Sequence, residues 1–256
     1  MSVRMALRQV GYENRSFWRN PAAAFFTFLL PLIFLVLFNS IFGDSELTID
    51  GRDLKGSTFY VPGIAALAVV SACYTNMGMM VTISRDLGIL KRVRGTPLPP
   101  WAYIFGRLAH AMLVSLLLVA IVTGVGAAAY GTDLPGNTLP GFTVTLMLGA
   151  VTFCALGLAL TAVIPNADAA PAITNATILP LLFISNVFIP LQDPPGWLAF
   201  VGDVFPLKHF AAALQTAFHP DTTGAGFEWG DLAVIAAWGV AGTALAVRFF
   251  SWEPRR

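Results

Sequence analysis

The chain has 256 residues, 56% of them hydrophobic and only 11% charged, with a mean hydropathy of +0.72. A soluble domain carries about a quarter charged residues, so this composition cannot cover a water-facing surface and excludes an ordinary soluble enzyme. The net charge of +1 is uninformative as a sum; in a membrane protein the distribution of charge decides.

The first twenty-one residues read as an interfacial helix. At about 100° per residue, Arg4, Arg8, Arg15 and Arg19 fall within roughly 60° of one another. Val3, Ala6, Leu7, Val10, Phe17 and Trp18 lie on the opposite side. Such a helix lies in the membrane interface with its arginines on lipid phosphates and Trp18 at the acyl boundary. A merely basic, solvated N-terminus is the alternative. Asn20-Pro21 ends the segment. No secretory signal is expected, because the first apolar run starts late, is too long and lacks a small-residue cleavage site.

Six apolar runs follow that are long enough to cross a bilayer: 25–42, 60–83, 108–130, 139–164, 172–189 and 232–250. Pro180 predicts a kink in the fifth, one that neighbouring helices can satisfy. Cys73 and Cys154 both sit inside apolar runs and form no metal or disulfide framework.

Between the second and third spans runs SRDLGILKRVRGTPLPP, residues 84–100. Arg85, Lys91, Arg92 and Arg94 are basic and Asp86 is the one acid, with Leu87, Ile89, Leu90 and Val93 interleaved. This predicts a short helix ended by Gly95, with Pro97, Pro99 and Pro100 opposing its restart. Apolar knobs with a charged rim suit a groove on a soluble partner; arginines that only touch lipid and fix orientation are the alternative.

The segment 190–231 is too long for a turn and too apolar for an open loop. Its prolines cut it into pieces in which Trp197 to Val201 and Phe205 to Phe218 read as short helices at the outer surface or dipping into it. His209 and His219 lack companions at ligand spacing, and His110 reads as a helix-packing residue.

Lys and Arg separate sharply along this plan. Twelve of the fifteen lie on one side: Arg4, Arg8, Arg15, Arg19, Arg85, Lys91, Arg92, Arg94, Arg107, Arg248, Arg255 and Arg256. Only Arg52, Lys55 and Lys208 lie on the other, where Asp44, Glu46, Asp50, Asp53, Asp133, Asp193, Asp203, Asp221, Glu228 and Asp231 collect. The positive-inside rule then puts both termini in the cytoplasm. The fold class is an all-α, polytopic membrane protein: one domain over residues 1–256, six spans, an interfacial helix and short outer helices.

Several chemistries are missing from the sequence. No ionisable residue sits mid-span, as a proton-coupled carrier or intramembrane aspartyl protease requires. Neither HExxH nor GxxxxGK[ST] occurs, and the dipeptide Gly-Lys is absent altogether. If the protein transports, its energy comes from elsewhere.

Three segments resemble the type-2 ABC exporter permeases: RDLGILKRVRGTPLPPWAYIFGRL, ALGLALTAVIPNADAAPAITNATILPLLFISNVFIPLQDPPGWL, and FPLKHFAAALQ with the ending RFFSWE. The likeness runs through the chain in order. It departs where Arg85-Asp86 alone remains of an acidic run, where Ile184-Ser185-Asn186 replaces "LSG", and where Ala213-Leu214-Gln215 replaces "ALR". The resemblance implies a permease subunit in a bacterial-type cell membrane that binds no cofactor itself. ATP and Mg would belong to separate ABC ATPase subunits, and a second copy or a related permease would complete the pair. Membrane lipid is the remaining partner, and nucleic acid is none. It further implies ATPase coupling through Arg85, Asp86, Leu87, Leu90, Lys91, Arg92 and Arg94. Phe34, Phe38, Asn39, Asn175, Phe183 and Asn186 are implied as candidates to line the path or dimer interface. A drug, antibiotic or lipid-like substrate fits the compact chain; a surface polysaccharide or lipid-linked glycan is the alternative, and a non-transporting membrane scaffold is the alternative of another class.

Overall fold

The computed structural model describes residues 2–49, 52–190 and 194–253. Arg255, Arg256, Asp50 and Asp193 lie outside the described residues. The elements in order are α1 (Ser2–Trp18), α2 (Pro21–Phe42), β1 (Glu46–Ile49), β2 (Arg52–Lys55), α3 (Gly56–Val70), a π-helical turn (Ser71–Thr75), α4 (Asn76–Asp86), α5 (Ile89–Arg94), α6 (Pro100–Tyr130), α7 (Leu139–Leu160), α8 (Ala170–Ile184), α9 (Gly196–Val204), α10 (Pro206–Phe218) and α11 (Trp229–Phe249). α3, the π turn and α4 form one continuous helical rod.

Among the described residues five helices are long and apolar enough to cross a membrane: Ala24–Phe42, Gly56–Asp86, Pro100–Tyr130, Leu139–Leu160 and Trp229–Phe249. α9 and α10, bent by 82° at Phe205, qualify together as a sixth. α8, expected as a full span over 172–189, has 15 helical residues, about 22 Å at 1.5 Å per residue. It nevertheless runs from one end of the bundle to the other. Thr174 lies beside Gly78 near its start, and the chain after its last turn meets Gln215 and Gly63.

Two other boundaries moved for local reasons. Pro100 opens α6 instead of blocking a helix, because a proline at the first helical position gives up an amide that has no intrahelical partner there. α6 therefore starts eight residues before the apolar run and has 31 residues. The antiparallel hairpin β1–β2, paired Glu46 to Lys55 and Ile49 to Arg52, was not expected; the dipeptide Asp50-Gly51 in the sequence is its signal.

The two ends of the bundle differ chemically. One carries α1, α5, the 161–169 turn and the residues after α11, where Trp252 reaches Tyr103 at 6.3 Å between ring centroids. The other carries the hairpin, the start of α7 and residues 185–190 and 194–228, joined by Lys55 Nζ to the Tyr130 carbonyl and by Thr138 Oγ1 to the Ala217 carbonyl at 2.6 Å. They are called the basic end and the hairpin end below.

Small residues set the helix spacing, as expected where backbones approach closely in lipid. A β-carbon on Gly157 would lie 2.6 Å from the Tyr74 carbonyl, and one on Gly149 would enter the Phe210 ring. α10 is consequently not a surface helix. Phe210, Leu207 and Leu214 are fully buried, with Phe210 edge-on to Phe153 at 5.3 Å. α2 is the most exposed span, with only 17% of its most apolar stretch buried.

Candidate functional site

At the basic end, α4 finishes in Arg85-Asp86. The sequence suggested these two as partner-facing groups; the structure turns both inward. Arg85 is 1% exposed, and its guanidinium donates to the carbonyls of Thr161 (2.9 Å), Ile164 (2.7 Å) and Pro165 (3.3 Å). These carbonyls belong to the cap and the turn after α7, beside the negative end of its dipole, so a cation fits there. Asp86 Oδ2 accepts the Ala167 amide at 2.6 Å, while its other oxygen sits 3.5 Å from Arg85 Nε. The pair clamps α4 onto the turn joining α7 to α8.

Gly88, at φ +68°, then breaks the rod so that α5 can start in a new direction. α5 ends at Gly95, as the sequence predicted. Leu90 is wholly buried and anchors it, again a correction to an outward role. What α5 and its lead-in present outward is Leu87, Ile89, Lys91, Arg92 and Arg94: two apolar knobs and three cations on a fixed platform.

α1 forms as expected, and Arg4, Arg8, Arg15 and Arg19 are exposed. Its apolar side is split, however. Ala6, Gln9, Glu13 and Phe17, at helical spacing, lie along the face that packs on α6; a β-carbon on Gly106 would run into Gln9. Val3, Leu7 and Trp18 stay exposed, so only this part remains for lipid. The seam is fixed by Arg107, which pairs with Glu13 at 3.4 Å, donates to Ser84 Oγ at 2.8 Å and lies over the Tyr103 ring at 5.1 Å. Sequence reading counted Arg107 only as a topology charge and passed over Glu13, though it is the sole acid before Asp44.

Three of the candidate path residues converge near the hairpin end. Phe34, Phe38 and Phe183 all meet the ring of Phe188, at 5.2, 5.5 and 5.4 Å, and Phe38 also stacks on Tyr60 at 5.2 Å. Phe188 and Tyr60, the centre of this cluster, were not singled out from the sequence. The asparagines separate. Asn39 is 3% exposed, donates to the Leu35 carbonyl at 2.9 Å and keeps its Oδ1 buried without a partner. Asn175 lies exposed on α8 in line with Leu179 and Phe183. Asn186 has φ +54°, the left-handed conformation that asparagine tolerates, so it supplies the backbone turn for which a glycine was missed. Its carbonyl accepts Gln215 Nε2 at 3.1 Å. His209 links α9, α10 and α11, with Nδ1 2.7 Å from Asp231 Oδ1 and Nε2 2.8 Å from the Asp203 carbonyl.

Residues 10–219 match the family profile described as ABC-2 type transporter. The chain belongs to that family. Among similar proteins, the daunorubicin resistance ABC transporter permease protein DrrB1 of Streptomyces coeruleorubidus is 28% identical over 75% of this chain and 66% of its own length. The transport permease ycf38 of Porphyra purpurea is 26% identical over the same shares. The probable multidrug ABC transporter permease YbhR of Escherichia coli K12 is 22% identical over 64% of this chain and 45% of its own. The chain therefore spans a little under two thirds of DrrB1 and ycf38 and under half of YbhR. Family membership and the long apolar helices make this ABC-2 chain a multi-pass membrane protein.

Proposed function

We propose that this ABC-2 chain is the membrane permease subunit of an ATP-driven exporter. Its basic end faces the cytoplasm, a reading that the twelve-to-three distribution of Lys and Arg supports. Separate ATPase subunits, which bring ATP and Mg, dock on α5, and a second permease pairs along the open flank of α2 and α8. The substrate is an amphipathic drug, antibiotic or lipid-like molecule; relatives named for daunorubicin resistance and multidrug transport support that class.

The observation that carries the reading is the platform at α5. Buried Leu90 and the Arg85–Asp86 clamp fix a six-residue helix and its lead-in, whose Leu87, Ile89, Lys91, Arg92 and Arg94 are exposed. Such a rigid knob passes a partner's rigid-body motion to α4 and to the α7–α8 turn together. On α8, Asn175 in line with Leu179 and Phe183 supports a protein neighbour, since an amide facing lipid is unfavourable.

The test is co-purification in mild detergent of the tagged protein and its Lys91→Glu/Arg92→Glu/Arg94→Glu variant, leaving buried Arg85 intact. A nucleotide-hydrolysing partner should follow the wild type and be lost from a variant that still elutes as a single species. No ATPase with the wild type, or equal recovery with both, refutes this docking surface.

A further inference from the structure

A cavity of about 560 Å³ opens at the basic end, walled by α1, the first half of α2, the π turn with α4, and α6. It is separate from the aromatic cluster around Phe188 and from the α5 platform. Drug-sized ligands occupy sites of about 300–1,000 Å³ that are mostly apolar with a few convergent polar groups.

Its lining has that character. Towards the basic end stand the Glu13–Arg107 pair, Asn76 and His110, whose Nδ1 has no hydrogen-bond partner within the protein. Deeper in, Ala72 and Val114 are apolar and buried. Ser71, Ala72 and Thr75, three of the five residues of the π turn, face the space. One extra residue in a helical turn widens it locally, and such turns often sit at functional sites. The exposed part of its lining is Phe26 (66% exposed), Leu30 and Met80 (42% exposed) on one side and Ser16 and Asn20 on the other. The opening thus has an apolar flank on the exposed side of α2 and α4, which favours entry from the membrane, and a polar rim at the basic end.

We infer that this cavity binds a planar aromatic amphiphile from the inner leaflet. The ring lies among Phe17, Phe26 and the thioethers of Met77, Met79 and Met80, which make favourable contacts to aromatic edges and faces. A hydrogen-bonding edge reaches the polar end, where the mutual neutralisation of Glu13 and Arg107 favours an uncharged ligand over an ion. Binding stands on the cavity itself; its role as the intake for export rests on the function proposed above.

The test is titration of the protein in nanodiscs with 1-pyrenemethanol, an uncharged planar aromatic alcohol, corrected with empty nanodiscs. One saturable site per chain is expected. Thr75→Phe, which fills the cavity, should weaken it at least tenfold. Phe26→Ala/Met80→Ala, at the exposed mouth and harmless to folding, should weaken it severalfold. Thr243→Phe, which fills the smaller cavity of about 330 Å³ between α6, α7 and α11, should leave it unchanged. The inference fails if no saturable component appears, or if Thr75→Phe and the mouth variant bind like wild type. It fails too if saturable binding appears only in lipid-free detergent, which makes the cavity a phospholipid seat. No ATPase is present, so the outcome does not depend on the docking test at α5.

Discussion

Arg85 Nη2 donates to the Ile164 carbonyl at 2.7 Å, joining residues 79 positions apart and fastening the last turn of α4 to the exit of α7. Few positions in a chain this apolar hold a fully buried cation, and this one is compensated by three carbonyls and a neighbouring acid.

Replacing Arg85 by Met keeps the volume and leaves those carbonyls without a donor. Each buried orphan costs about 1–3 kcal/mol, and Arg85→Met should destabilise the protein by about 3 kcal/mol. Arg85→Lys, a single point charge without the planar fork, should recover only part. Thermal unfolding in detergent, with hydrogen exchange of 161–167, checks this. Unchanged melting and unchanged protection of that turn would show the clamp to be idle.

Gly149 and Phe210 form a lock between α7 and α10. Gly149→Ala drives a methyl group into the Phe210 ring and should cost about 1–3 kcal/mol by overpacking. Phe210→Leu in the same chain should restore part of it, because the ring edge that collides is gone. A double-mutant cycle on melting temperature reads the coupling. Strict additivity of the two changes would contradict the contact.

At Asn186 the backbone decides. Asn186→Gly should be tolerated within about 1 kcal/mol, whereas Asn186→Val, β-branched at φ +54°, should cost about 1–2 kcal/mol or more. If the valine variant melts with the glycine variant, the turn after α8 is not held in the left-handed region.

Much of this arrangement was legible because lipid imposes a simple code. Long apolar runs gave the spans, and charge gave the two ends. Gly95 marked the stop of α5. What the code could not resolve were places where a residue's role depends on a distant partner. Arg85 reads as an exposed docking cation until Thr161 and Ile164 are brought to it by the turn after α7. Leu90 reads as a knob until the bundle covers it. Phe34, Phe38 and Phe183 carry no mutual signal in sequence, yet Phe188 gathers them. The shortness of α8 was hidden because hydropathy continues through Val187 and Ile189 after the helix has ended at Ile184.

That shortness has a mechanical consequence for the surrounding membrane. The hydrocarbon layer is about 30 Å thick, and a helix of about 22 Å cannot match it. Where α8 meets acyl chains directly, the leaflets must pinch, and that deformation is relieved when a taller neighbour covers the helix. Elastic strain in the lipid would then draw protein against the Asn175–Leu179–Phe183 stripe without any strong contact being made there.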